Sequence, residues 1–187
     1  MGWPRVIRIE HIGSKRGFTT IELIVVVVAF AILASVSIPL IQNYLAIYHL
    51  KQAARNIVSQ MQIARIEAIK RRMQTVVVFD PSAFNPAGGG KYSIYADTDR
   101  DWNQDAGEPV LLPPTDMPRR VTLALAVFDD NGSGQPTSTR SCGFDPGGAA
   151  AWALGGHNPV TGNIQLINSK SDTRTIRFWA SGKTEIQ

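Results

Sequence analysis

The sequence predicts an α+β protein, with a long amino-terminal helix packed on a mainly antiparallel β-sheet domain. Three observations carry that expectation. An apolar run fills residues 21–41 almost without interruption. Apolar residues then recur at steps of three or four as far as residue 72. Beyond that point, short β-branched or alternating segments are separated by Gly, Pro, Asn and Asp. At 187 residues, 44% hydrophobic and 18% charged, the chain has room for one domain and an extension.

The apolar run has the length and composition of a membrane span. Between residues 23 and 38 the only polar side chains are Ser35 and Ser37. Extended to Ile41, the run approaches the roughly 20 residues that cross a bilayer core as helix. Arg5, Arg8, Lys15 and Arg16 precede it, opposed only by Glu10, so the leading segment carries +3 of the net +4. Positive flanks stay in the cytoplasm, so the rest of the chain is expected outside. A secretory signal would place small residues at a cleavage site, which Ser35-Val36-Ser37 only loosely offers. A plain anchor leaves Glu22 unexplained, because a carboxylate at membrane depth costs about 2.5–3.5 kcal/mol unless paired.

The segment "KRGFTTIELIVVVVAFAILASVSIPL" resembles the class III signal of type IV pilins and type II secretion pseudopilins. The resemblance covers the first quarter of the chain and rests on the basic leader, Gly-Phe, the Thr-x-x-Glu-Leu spacing, the apolar run and a proline in register. It implies that residues 1–17 are a leader, cut by a prepilin peptidase between Gly17 and Phe18, and that Phe18 becomes the N-methylated first residue. It also implies that residues 18–41 form a transmembrane, fibre-core helix, with Pro39 at a bend. Glu22 is then the fifth mature residue. Cleavage creates an α-ammonium within about a helical turn of Glu22, and in a bundle of staggered helices that carboxylate can meet a neighbour's amine. Because an unpaired buried charge is expensive, pairing favours one stagger, which makes Glu22 an assembly-register residue.

Past Pro39, which would kink a helix without necessarily ending it, residues 42–72 read as an amphipathic helix. Leu50, Ala54, Ile57, Met61, Ala64 and Ala68 make one stripe, suited to packing on a sheet. Helix from residue 18 to 72 would be about 80 Å long. Arg65, Lys70, Arg71 and Arg72 gather at its end, where cations suit the helix dipole; a phosphate-binding patch is the other reading. "ARIEAIKRR" also resembles a segment of the GspH/FimT-like branch of the same family.

Residues 73–187 are expected to form a β-rich periplasmic domain. Strands are expected over 75–79, 91–96, 110–112, 121–128, 163–168, 175–180 and 183–187. In 121–128 the alternation would set Val121, Leu123, Leu125 and Val127 on one face. Residues 132–162 are the least patterned and read as an irregular but ordered excursion, since Phe144 and Trp152 argue against a disordered linker. The sequon at Asn131 reads as a turn.

"DTDRDWNQDAGE" at 97–108 has the spacing of a calcium loop. Asp97, Asp99, Asp101, Asn103, Asp105 and Glu108 occupy its positions 1, 3, 5, 7, 9 and 12, and hard oxygen ligands suit that ion. Against this, Trp102 replaces the glycine of the sharp turn, and the flanks read as strands rather than helices. The segment also resembles a hairpin turn of GspH/FimT-like sequences. Calcium is the one cofactor the sequence raises.

Nothing indicates an enzyme. Hydrolase, metalloprotease and phosphate-loop motifs are missing, and Cys142 with His157 is too little to suggest catalysis. The resemblance implies a structural subunit of an inner-membrane, single-pass type, assembled into a periplasmic pseudopilus. Its implied partners are other pseudopilins, the prepilin peptidase and the inner-membrane assembly platform. The alternative is a FimT-like minor pilin that binds DNA, for which Arg174, Arg177 and Lys183 are the candidate contacts. Glu185 opposes them, and so thin a patch disfavours nucleic acid.

Overall fold

The structure is a computed structural model that describes residues 17–128, 140–151 and 161–187. Residues 1–16 of the expected leader 1–17, the sequon at Asn131, Trp152 and His157 lie outside them. Contacts divide the chain between Ile41 and Gln42 into two units.

A single helix, α1 (Thr20–Arg71), runs unbroken through Pro39. Both of its ends are built by local chemistry. Thr19 Oγ1 accepts from the Glu22 amide at 3.3 Å, and Glu22 Oε2 accepts from the Thr19 amide at 3.4 Å. This reciprocal pair is a capping box, which satisfies donors that have no partner inside the helix. At the other end Arg72 takes a φ of 55°. Its amide donates to the Ile69 carbonyl and the Met73 amide donates to that of Ala68, the double bond of a Schellman turn.

In the first unit the stretch Thr20–Ile38 is long and apolar enough to cross a membrane, and none of it is buried. Ser35 and Ser37 donate their hydroxyls back to the carbonyls of Ile32 and Leu33, at 2.7 and 2.8 Å. Both polar groups are thus satisfied within the helix, as a hydrocarbon surrounding requires.

The second unit, Gln42–Gln187, holds the rest of α1 and two antiparallel sheets. The first sheet has the order β3-β2-β1-β5-β6, from β1 (Gln74–Asp80), β2 (Lys91–Asp97), β3 (Val110–Asp116), β5 (Ser141–Phe144) and β6 (Ala150–Ala151). The second has the order β4-β7-β8-β9, from β4 (Val121–Phe128), β7 (Gly162–Asn168), β8 (Thr173–Phe178) and β9 (Thr184–Ile186). The predicted stripe of α1 is the buried one: Leu50, Ala54, Ile57, Met61, Ala64 and Ala68 all lie in the core. Fully burying a Leu, Ile or Met side chain is worth about 1.5–3 kcal/mol. The alanines let backbone come close, and Thr75 Oγ1 at the start of β1 donates to the Ala64 carbonyl at 3.1 Å.

Aromatic rings join the two sheets. Phe79 of β1 stacks on Phe128 of β4 at 5.8 Å, and Phe144 of β5 meets Phe178 of β8 edge-on at 5.7 Å. Phe128 also lies over Gly162, its partner in the ladder, where a Cβ would collide with the ring.

The structure corrects the sequence reading in three places. The excursion over 132–162 contains β5 and β6, because Ser141–Phe144 pairs with β1 through backbone groups that need no β-branched side chains. In β4 the expected face is broken by a bulge between Leu123 and Leu125. Val121 and Leu123 point inward, but Leu125 is 41% exposed and Ala126 and Phe128 take the interior positions. One extra residue reverses the side-chain alternation beyond it. β3 also runs on through Pro113 and Pro114. The prolines are tolerated because β3 is an edge strand and both fall at the register shift between Tyr92 and Ile94, where neither has a ladder partner.

Candidate functional site

The amino-terminal end of α1 presents Gly17 and Phe18 ahead of the helix, both exposed. A Cβ added at Gly17 would meet nothing within 4 Å, so packing does not demand a glycine there. Glu22 is the acidic residue of the first helical turn, and its carboxylate already serves the capping box. That second role is one sequence reasoning missed, although Thr-x-x-Glu ahead of an apolar run is the signature of the motif. Pro39 lies within α1.

Residues 97–108 connect β2 to β3, so the flanks are strands, as expected. Asp97 is 1% exposed and organises the turn. Its carboxylate accepts from the amides of Arg100 at 2.6 Å and Trp102 at 3.1 Å, and from the Gln74 side-chain amide at 2.9 Å. Burial, more than the neighbouring Glu108 and Asp99 charges, pushes its pKa above the ordinary carboxylate range. Glu108 closes the loop, accepting from the Thr98 amide at 2.7 Å and the Asp105 amide at 3.2 Å. Asp101 accepts from the Asn103 amide at 2.7 Å.

Trp102 does reach the left-handed region, at φ 68°, despite its side chain. The conformation is held by Asp97, by the Tyr95 hydroxyl donating to the Trp102 carbonyl at 2.6 Å, and by packing of the indole on the core. Carboxylate oxygens of Asp97, Asp99 and Glu108 lie within 4.8 Å of one another, as do those of Asp99, Asp101 and Asp105. The six residues of the predicted calcium pattern therefore sit in one hairpin loop. Most of the oxygens already accept hydrogen bonds from the loop itself.

The three cations proposed for DNA are not gathered on one face. Arg174 and Arg177 are three apart on β8, and so point to opposite sides of the sheet. Arg177 lies over the Trp179 ring at 5.4 Å, and Lys183 pairs with Glu185 at 3.3 Å. Arg174 instead shares a cavity with Lys51 and Arg55 of α1. Cys142 is fully buried in β5, and burial pushes its thiol far above the usual range.

A family model described as "Type II transport protein GspH" matches residues 53–182. The chain belongs to the GspH family. This is a family of structural, pilin-like subunits, and the architecture above is α+β. The GspH match spans α1 from Ala53 onward, the 97–108 loop and β8. Residues 17–22 lie ahead of it. Among curated proteins the chain is 33% identical over 96 residues to the pilin-like protein PilA1 of Thermus thermophilus. That stretch is 51% of this chain and 56% of PilA1, so the chain spans little more than half of that relative. Among solved structures, the type IV minor pilin FimU of Pseudomonas aeruginosa aligns with a TM-score of 0.43 at 14% identity, covering 74% of this chain and 87% of FimU. The minor pseudopilin EpsH of the Vibrio cholerae type 2 secretion system aligns with a TM-score of 0.43 at 11% identity, covering 74% and 96%.

Proposed function

We propose that this GspH-family chain is a minor pseudopilin of a type II secretion system, a subunit at or near the tip of a periplasmic fibre that supports export of folded proteins. The observation that carries the reading is the GspH match over residues 53–182, joined to an exposed apolar helix that follows a Gly17–Phe18 pair. In this reading a prepilin peptidase cuts after Gly17 on the cytoplasmic side, Phe18 is methylated, and Thr20–Ile38 holds the subunit in the inner membrane. Exposed Tyr44 and Tyr48, just beyond the span, suit the headgroup layer. On assembly the apolar face leaves lipid for equivalent helices of other pilin-like subunits. Glu22 then exchanges its own capping bonds for a neighbour's α-ammonium.

The test separates three residues of one segment. Gly17→Ala should fold normally and block processing. Thr19→Ala should be processed and assembled, because it removes half of the cap and leaves the carboxylate. Glu22→Ala should be processed but excluded from fibres. These outcomes are read by the size of the chain on gels and by its recovery in sheared fibres. Unchanged incorporation of Glu22→Ala would sink the register role.

The second reading is a FimT-like minor pilin of a type IV pilus that takes up DNA. The splitting of Arg174 and Arg177 between two faces weighs against it. A gel shift of the full chain in detergent, at low and high salt, decides between them: steeply salt-dependent DNA binding would reverse the order.

A further inference from the structure

We propose that the end of the second unit at which α1 enters carries a site for anionic phospholipid, where Lys51, Arg55 and Arg174 hold headgroup phosphates while the subunit waits in the membrane. The proposal rests on the membrane-anchor part of the reading above and not on the kind of fibre. Tyr44, Tyr48, Lys51 and Arg55 follow one another on α1 at steps of four, three and four, so they share one face of the helix. Both tyrosines are exposed, and their rings stack at 6.4 Å. Lys51 lies about 4.5 Å and Arg55 about 10 Å beyond Tyr48 along the axis. Helical side chains lean toward the amino-terminal end of their helix. The long stems of Lys51 and Arg55 therefore reach back toward the tyrosines, and so toward the headgroup layer that those rings suit.

The second sheet completes the site from the other side. Arg174 of β8 lines a cavity of about 240 Å³ with Lys51 and Arg55. It also lines an adjoining cavity of about 450 Å³ with Ile47 and the start of β8. Ile47 is 41% exposed, so apolar surface adjoins the cations. The walls are built in advance, which lowers the cost of binding. Buried Asn168 accepts from the amides of Lys170 and Asp172 and donates to the Asp172 carboxylate, each at 2.9 Å. That last bond engages the one carboxylate lining the larger cavity. On the other flank the Gln62 side chain donates to the Thr184 hydroxyl at 3.2 Å, which ties β9 to α1. Among the described residues neither Lys51, Arg55 nor Arg174 has an ion-pair partner. Three like charges around one cavity gain from an anion set among them. A phosphate joined to an apolar tail matches cations bordered by Ile47 and two tyrosines; a nucleic acid would leave that apolar border unused.

The experiment holds the full chain in neutral detergent micelles, titrates it with phosphatidylglycerol or phosphatidylcholine, and counts the retained phospholipids by native mass spectrometry. The anionic lipid should be held about tenfold or more tightly than the zwitterionic one, since each cation near an anionic surface strengthens binding about fivefold. Lys51→Gln, Arg55→Gln and Arg174→Gln should each weaken phosphatidylglycerol binding by about that factor and leave phosphatidylcholine unaffected. Lys91→Gln with Arg140→Gln, which removes two exposed cations beside Asp80, should change neither. Equal retention of the two lipids, or a loss as large in this control pair, overturns the site and leaves the anchor standing. Retention of neither lipid overturns the membrane reading together with the site. Inorganic phosphate that displaces the lipid better than chloride at equal ionic strength would make the groove a simple anion site. A DNA oligonucleotide that displaces it would make the groove a nucleic-acid site. Either displacement overturns the lipid assignment.

Discussion

Arg72 closes α1 in a left-handed conformation, which costs an L-residue about 1–2 kcal/mol. Glycine is the usual occupant of that position. The Schellman bonds from Arg72 and Met73 are made by backbone and would survive the change. Arg72→Gly should therefore stabilise the second unit by about 1 kcal/mol, after the entropy glycine itself loses on folding. Denaturant unfolding measures this; an unchanged or lower midpoint would mean that the arginine side chain holds the turn. Beside it Glu67 pairs with Lys70 at 3.3 Å and with Arg71 at 2.6 Å. Hydrogen bonds from those two side chains, Arg71 first, draw the Glu67 pKa below its ordinary value. Part of the cation cluster at the helix end, for which a phosphate patch was the alternative reading, is thus paired locally.

At the scale of elements, the 97–108 hairpin is the one most at issue. Its carboxylates crowd as calcium ligands would, yet Asp97 and Glu108 spend their oxygens on the amides of Thr98, Arg100, Trp102 and Asp105. A loop so held should keep its shape without an ion. We expect a chelator to leave the thermal midpoint unchanged and calorimetry to detect no binding at millimolar calcium. A midpoint that rises with calcium would make the loop a metal site. Asp97→Asn should destabilise the unit by about 1–3 kcal/mol, since an amide cannot accept all the donors aimed at it.

Legibility also varied by element. The span of β4 was readable to the residue, because eight apolar and β-branched positions run together. Its inward face was not, because nothing in Leu123-Ala124-Leu125 announces a bulge. The helix stripe was readable because a period of three to four has one buried solution. β5 and β6 were hidden because Gly143 and alanines carry no strand preference, and their pairing is decided by β1, far away in sequence. The cap at Thr19 was missed although Thr-x-x-Glu spells it; the grouping of Lys51, Arg55 and Arg174 could not be read, since it joins residues more than a hundred positions apart.

At the scale of the whole molecule, Cys142 reports on the integrity of the second unit. It is fully buried in β5, opposite Val77 of β1. A thiol whose pKa is pushed up by burial is a poor nucleophile. Labelling by a disulfide reagent should therefore be negligible in native buffer and complete in denaturant, and the chain should not form covalent dimers when oxidised. Rapid native labelling would show that β5 opens without global unfolding. The sheets carry a different safeguard, at their rims. Among the described residues the four outer strands are β3, with two prolines, β4, with a bulge, and β6 and β9, only two and three residues long. Such rims resist strand addition from outside. Crowded at high local concentration in a membrane or a fibre, these subunits would be protected against amyloid-like aggregation, and any lasting association has to be written in side chains that a cell can reverse.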